Sequence, residues 1–298
     1  MSEETSKNMK SSAFSLAIYL TAFLSGLLVL LYPFFLPAIS PQTGFASMRQ
    51  GQMPVMMTVL LGICLLVLLF ESQGTVLNTK LIALLGILVA INSALRFIET
   101  AIPGPGGFSP IFFLIILVGY LFGGRVGFLM GALTLAVSAL VTGGVGPWLP
   151  AQMFTAGWVG MTAPILKPLA RVASSTLQRK KPLNDNVEIV LLALFGLAWG
   201  FIYGAIMNLW QWPFIVGPQN QSYVSGMGLV STLQHYLAFY MVTSLVWDIV
   251  AAAGNVLLIL ALGKPALRAL RRFHQRFGFR YETGLSVASR SHERGITE

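Results

Sequence analysis

Residues 92–152 read NSALRFIETAIPGPGGFSPIFFLIILVGYLFGGRVGFLMGALTLAVSALVTGGVGPWLPAQ, in which NSALRFIE, PGPGGFSP and GGVGPWLPAQ stand between the apolar segments of the chain. Apolar runs of this length call for a hydrocarbon solvent. Charged residues and proline-glycine turns set between them mark a pore, a pocket or a lid more readily than a passive anchor. The rest of the chain agrees: it is 55% hydrophobic and 10% charged, with a mean hydropathy of +0.75. Too few polar side chains remain to cover a soluble surface, so the composition predicts an all-α, polytopic membrane helix bundle.

Apolar segments at 13–37, 53–70, 80–98, 110–122, 125–142, 153–167, 188–210 and 230–262 predict eight spanning helices, given roughly 20 residues per crossing. The boundary between 110 and 125 is the least sharply marked. Lys7 and Lys10 precede the first segment, as they would in a signal peptide. Its core is too long for one, however, and AIS before Pro41 is no cleavage site, so a retained helix is expected. With residue 1 cytoplasmic, 17 of the 19 lysines and arginines fall on one side, leaving Arg49 and Arg96 on the other. This positive-inside pattern predicts that both termini are cytoplasmic, and it accounts for the net charge of +9 without nucleic acid. The opposite loops, 38–52, 99–109, 143–152 and 211–229, are rich in glycine, proline, glutamine and aromatics, which suits loops folded against an outward-facing pocket.

Small residues recur at helical spacing in three places: Ala83, Gly86, Ala90 and Ala94; Gly196, Gly200 and Gly204, followed by Asn208; and Gly119, Gly123, Gly127 and Gly131. Each ridge lets another helix approach closely, from within the chain or from another subunit. Asn92, Arg96 and Glu99 share a helical face near the outer boundary, where Arg96 and Glu99 either pair with each other or face a ligand. Asp248 falls near the middle of the last apolar run. A carboxylate there costs at least about 2.5 to 3.5 kcal/mol and needs a partner, a proton or water; Arg96 is the nearest opposite charge. Asn255 suits a bond between helices. His235 has no second ligand at metal-binding spacing, so a hydrogen bond is expected of it and no metal site. Trp148, Trp210, Trp212, Tyr223 and Tyr236 fit either an interfacial aromatic belt or a stacking surface for a flat ligand. Cys64 is the only cysteine, which rules out an intrachain disulfide. No nucleotide-binding loop, nucleophile elbow or acidic ATPase motif is present. No cofactor is expected, and any energy for transport must come from elsewhere.

INSALRFIE, the glycine-rich block through GALT, TGGVGPWLPAQMFTAGWVG and WDIVAAAGNVLLILALGKPALRALRRF together resemble the substrate-binding S components of energy-coupling factor (ECF) transporters, over about Lys80 to Phe273. The resemblance implies a six-helix core that binds a vitamin or related micronutrient from outside a prokaryotic plasma membrane, without catalysis. That core would dock on a transmembrane coupling subunit driven by two cytoplasmic ATPase subunits. It divides the chain into 1–72, a cytoplasmic N-terminus with two additional transmembrane helices; 80–264, the six-helix core; and 265–298, a cytoplasmic tail whose own residues read as basic, amphipathic and partly disordered, suited to the inner leaflet or, as the alternative, to a docking partner. The family's AxxxA docking face maps to Ala83, Gly86, Ala90 and Ala94, and its lid to Glu99–Ser109. The expected substrate-binding set is Asn92, Arg96, Glu99, Trp148, Gln152, Trp158, Asn208, Trp212, His235 and Asp248. The competing class is a self-sufficient ion-coupled secondary transporter using Asp248 and Arg96 as a relay. It calls for matching broken helices in the two halves, and none stands out.

Overall fold

The computed structural model describes residues 19–34, 59, 79–101, 106–177, 185–215 and 217–276. The span expected at 53–70, Val59 apart, lies outside the described residues, as do residues 102–105 of the expected lid and the tail beyond 276. The described residues form α-helices α1 (Tyr19–Phe34), α2 (Thr79–Ala101), α3 (Ile111–Phe122), α4 (Gly124–Thr142), α5 (Leu149–Thr162), α6 (Leu166–Leu177), α7 (Asp185–Gln211), α8 (Leu229–Thr243) and α9 (Leu245–Arg276). Helices α2, α4, α7 and α9 are long and apolar enough to cross a membrane, and α1 and α3 are shorter apolar helices. The protein is an all-α polytopic membrane bundle.

Two boundaries differ from the hydropathy pattern. The sixth segment starts earlier and runs on through a 3-10 turn at Ala163–Ile165 into α6, because Pro164 lacks the N–H that a continuous α-helix would use there. The last segment is two helices. Ser244, at φ −125° and ψ −34°, ends α8 and precedes α9. No glycine or proline marks this break, and hydropathy runs straight across it. Since α9 is long enough to span alone, the break does not change the number of crossings expected of this segment.

Helix α3 is the hub. Ile111, Ile115, Ile116 and Leu117 have no exposed surface. Its 12 residues reach only about 18 Å at 1.5 Å per residue, short of a hydrocarbon core of about 30 Å. The chain leaves it through Gly123, whose φ of 99° is one that a side chain would oppose, and enters α4 directly. Gly119 of α3, Gly127 of α4 and Gly160 of α5 then meet backbone to backbone. A Cβ on Gly160 would lie 2.1 Å from the Gly127 carbonyl oxygen, and one on Gly119 would lie 2.1 Å from that of Gly160. The ridge expected on these helices is internal packing.

A second seam joins α7 to α9. A Cβ on Gly200 would lie 2.5 Å from the Ala252 backbone, and one on Gly196 would lie 2.7 Å from Ile259. Asn255 donates from Nδ2 to the Gly196 carbonyl at 3.0 Å, as expected of a bond between helices. Helix α1 packs on the bundle through Phe23 against Trp158, with ring centroids 5.4 Å apart, and through Phe34 against Trp212.

The end of the bundle where α3 stops and α7 begins is basic. Glu188, buried to 2% exposure, accepts from Tyr120 Oη at 2.6 Å and pairs with Arg271. Lys167 caps the Leu121 carbonyl at 3.2 Å, and Lys264 bonds Asn186. Opposite-charge partners and freed carbonyls together satisfy ionic groups that lipid alone would not. The α2 ridge behaves differently from the other two. Ala83, Gly86, Ala90 and Ala94 are all exposed, and a Cβ on Gly86 would meet nothing within 4 Å. The opposite face, with Leu81, Leu84, Leu85, Leu88 and Asn92, is buried.

The glycine contacts give a direct stability test. Gly160→Val forces two helix backbones apart and is expected to cost about 3 kcal/mol or more, at the upper end of overpacking. Gly86→Ala should leave stability within about 0.5 kcal/mol, as for other unconstrained surface changes. Thermal unfolding of the two variants in the same detergent checks the contrast.

Candidate substrate-binding cavity

At the end opposite the basic cluster, the C-terminal turns of α2 and α7 meet the start of α3, α5 and α9 around a cavity of about 310 Å³. Its wall includes Arg96 and Glu99 from α2, Ser109 and Phe112 at the entry to α3, and Gln152 from α5. Gly200, Tyr203, Gly204, Met207, Asn208 and Gln211 come from α7, and Thr243, Ser244, Trp247, Asp248 and Ala251 from the α8–α9 junction. The helical repeat explains why α7 contributes so much: 200, 203/204, 207/208 and 211 fall on one face.

The break at Ser244 moves Asp248 from mid-helix to the first turn of α9. The helix's positive N-terminal end stabilises an anion there. Ser244 Oγ donates to Asp248 Oδ2 at 3.0 Å. The carboxyl lies flat against α7, because a Cβ on Gly204 would come within 1.8 Å of Oδ1. Arg96 does not act as its partner; it faces Glu99 at 3.9 Å, whose Oε2 accepts from Ser109 Oγ at 2.7 Å. One turn beyond Gly204, Asn208 donates from Nδ2 to Thr243 Oγ1 at 2.9 Å.

The segment following α2 closes one side. Gly107, at φ 85°, and Ser109 line the cavity. A Cβ on Gly106 would strike the Trp247 ring at 1.8 Å, and one on Gly107 the Trp247 carbonyl oxygen at 2.2 Å. Phe108 packs over Gly254. Two glycines therefore let this segment lie directly on the first turns of α9.

Of the ten residues expected at the site, Arg96, Glu99, Gln152, Asn208 and Asp248 line the cavity. The other five do not. Asn92 is wholly buried and ties three helices together, donating to the Ile111 carbonyl at 3.1 Å and to Thr134 Oγ1 at 3.2 Å. Trp148 lies over its own loop, its indole N–H reaching the Gly144 carbonyl at 3.3 Å. Trp158 supports α1. Trp212 has no exposed surface; it is ringed by Phe34, Tyr223, Tyr236 and Phe239 and donates to the Gln221 carbonyl at 2.7 Å. His235 Nδ1 lies 3.0 Å from the Ser222 carbonyl, pinning the same loop. Sequence reasoning missed Tyr203, Trp247 and Phe112, and gave Ser109 only as the end of the expected lid. Tyr203 had a readable signal, being adjacent to Gly204 on a ridge that ends at Asn208; the others depend on the chain break and the loop path.

A membrane bundle with a partly open cavity of mixed polar and apolar lining at one end defines a solute-handling membrane protein. Residues 80–263 match the family described as ECF transporter, substrate-specific component. The match spans well over half of the chain, and the protein belongs to that family: it is a substrate-binding subunit of an ECF transporter. This is a family of transporter components and not of enzymes. No curated protein and no solved structure matches the chain.

The fit of Asp248 against Gly204 predicts non-additive mutations. Gly204→Ala should destabilise the protein by about 1 to 3 kcal/mol through overpacking. Adding Asp248→Ala removes the clashing group, so the double variant should be more stable than the sum of the single effects by about 1 kcal/mol or more. A double-mutant cycle by thermal unfolding measures this coupling.

Proposed function

We propose that the chain captures a vitamin or related micronutrient in this cavity and passes it to a transmembrane coupling subunit driven by two cytoplasmic ATPase subunits. The membrane is the plasma membrane of a prokaryote, crossed several times, with the cavity facing outward and both termini cytoplasmic. Membership of the family carries the reading, and the cavity gives it a site: Arg96, Glu99, Gln152, Asn208 and Asp248 converge from four helices on a volume suited to a small molecule. The basic end, with Lys167, Lys264 and Arg271, is the inner one by the positive-inside rule.

The exposed stripe of Ala83, Gly86, Ala90 and Ala94 is the docking face for the coupling subunit. Small side chains let a partner helix approach within backbone contact in lipid, where no hydrophobic force drives association. Glu99–Ser109 acts as the lid. It is held shut by the Ser109–Glu99 bond and by Gly106 and Gly107 on Trp247, and its release frees the ligand path.

Ala90→Trp combined with Ala94→Trp should abolish co-purification with the coupling subunit while leaving the melting temperature of the isolated protein within about 2 °C, as for surface changes. Undiminished co-purification would place the docking face elsewhere. Mass spectrometry of small molecules released from the purified wild-type protein should return one dominant compound.

A further inference from the structure

Two buried polar groups of the cavity wall are incompletely compensated: an amide oxygen without a donor and a carboxyl group without a counter-charge. Asn208 is 8% exposed, and while its Nδ2 is bonded, its Oδ1 has no hydrogen-bond partner. Asp248 is 5% exposed. Its carboxyl group accepts from the neutral Ser244 hydroxyl, and among the described residues it has no ion-pair partner within 4.0 Å. The single guanidinium at the site, Arg96, is turned to Glu99, and these two side chains are 25% and 23% exposed, so they form the rim. One cation thus faces two carboxylates, and the unbalanced carboxylate is the buried one.

Buried acceptors without donors are costly, and a buried carboxylate without a counter-charge more so. A ligand that brings N–H donors and positive charge removes both costs at once, through charge-assisted hydrogen bonds stronger than neutral ones. Phe112 and Tyr203, whose ring centroids lie 4.7 Å apart, and Trp247 supply aromatic surface on which a cation is further stabilised. Resting on the reading of this cavity as the substrate site, we propose that the transported compound is an organic cation. Its inner end carries a protonated nitrogen group with at least two N–H donors, one for Asp248 and one for Asn208 Oδ1. Acceptor groups of the same molecule lie outward, beside Arg96.

Three probes of one shape separate the charge assignment from the site itself: benzamidine (cationic), benzamide (neutral) and benzoate (anionic), titrated against the full-length protein in detergent by calorimetry or saturation-transfer NMR. Benzamidine should bind at least about tenfold more tightly than either of the others. Asp248→Asn, which keeps the size of the side chain, should weaken benzamidine by about tenfold or more while changing benzamide by less than about threefold. Equal binding of the three probes, or a preference for benzoate, overturns the cation assignment and leaves the cavity standing as a binding site. If none of the three binds the wild-type protein at about 10 mM, both the assignment and the cavity reading fall. The wild-type comparison stands independently of whether the variant folds.

Discussion

The bare backbone at Gly204 leaves the space that the carboxyl group of Asp248 fills, and the geometry of the cavity follows from that contact. A Cβ at position 204 would overlap the carboxyl group of Asp248, so with any side chain there the carboxyl group could not keep its observed place. The same register of α7 on α9 sets Gly200 against Ala252 and Gly196 against Asn255 and Ile259, an antiparallel seam with a repeat of about four residues on each helix. In lipid the close approach itself supplies the attraction, through dispersion and short polar contacts, because burying apolar surface gains little there. The seam therefore fixes at once the packing of the two helices and the position of the buried acid. Asn208 follows one turn beyond Gly204, placed where its amide meets Thr243 at the end of α8.

The break at Ser244 is the second half of the same arrangement. An unbroken helix through 230–262 would have carried Asp248 at mid-span, far from either helix end. Ending α8 and starting α9 at Ser244 puts the acid in a first turn, near the positive end of the helix, and lets Ser244 Oγ donate to it. At the other end of the same two helices, Glu188 is held by Tyr120 and Arg271. Helices α7 and α9 thus carry one buried acid near each end, and the glycine seam runs between them.

The legible part of this structure is the part set by helical periodicity. Spacings of three and four showed the three small-residue ridges, and hydropathy showed the bundle. Arg96, Glu99, Gln152, Asn208 and Asp248 were visible because polar groups in an apolar run have few uses. The break at Ser244 was not legible: Thr243 and Ser244 sit in an apolar window with no glycine or proline, and the serine's role depends on a carboxyl group one turn away. Nor was the fate of the tryptophans. An indole near a proline turn looks the same in sequence whether it stacks on a ligand or on Phe34 and Tyr223, as Trp212 does. Asn92 illustrates the same ambiguity. It shares a face with Arg96, but the carbonyl at the start of α3 takes its amide first.

Helix α1 resolves the tryptophans further, because it lies outside the region that matches the family yet covers the indoles that the sequence offered to a ligand. Phe23 covers Trp158, Tyr32 meets Trp210 with ring centroids 6.3 Å apart, and Phe34 lies against Trp212 and Tyr223. Gly26 lets α1 come so close that a Cβ there would lie 2.4 Å from the Trp158 ring. Without α1 each of these indoles would lose an aromatic neighbour, so the helix completes the core and is more than an added anchor. Its position also matters for what it leaves uncovered. Helix α1 packs on α5 and on the aromatic cluster at the end of α7, and with it in place Ala83, Gly86, Ala90 and Ala94 of α2 remain exposed. The N-terminal helix thus fills one side of the bundle while the small-residue stripe stays open to a partner helix.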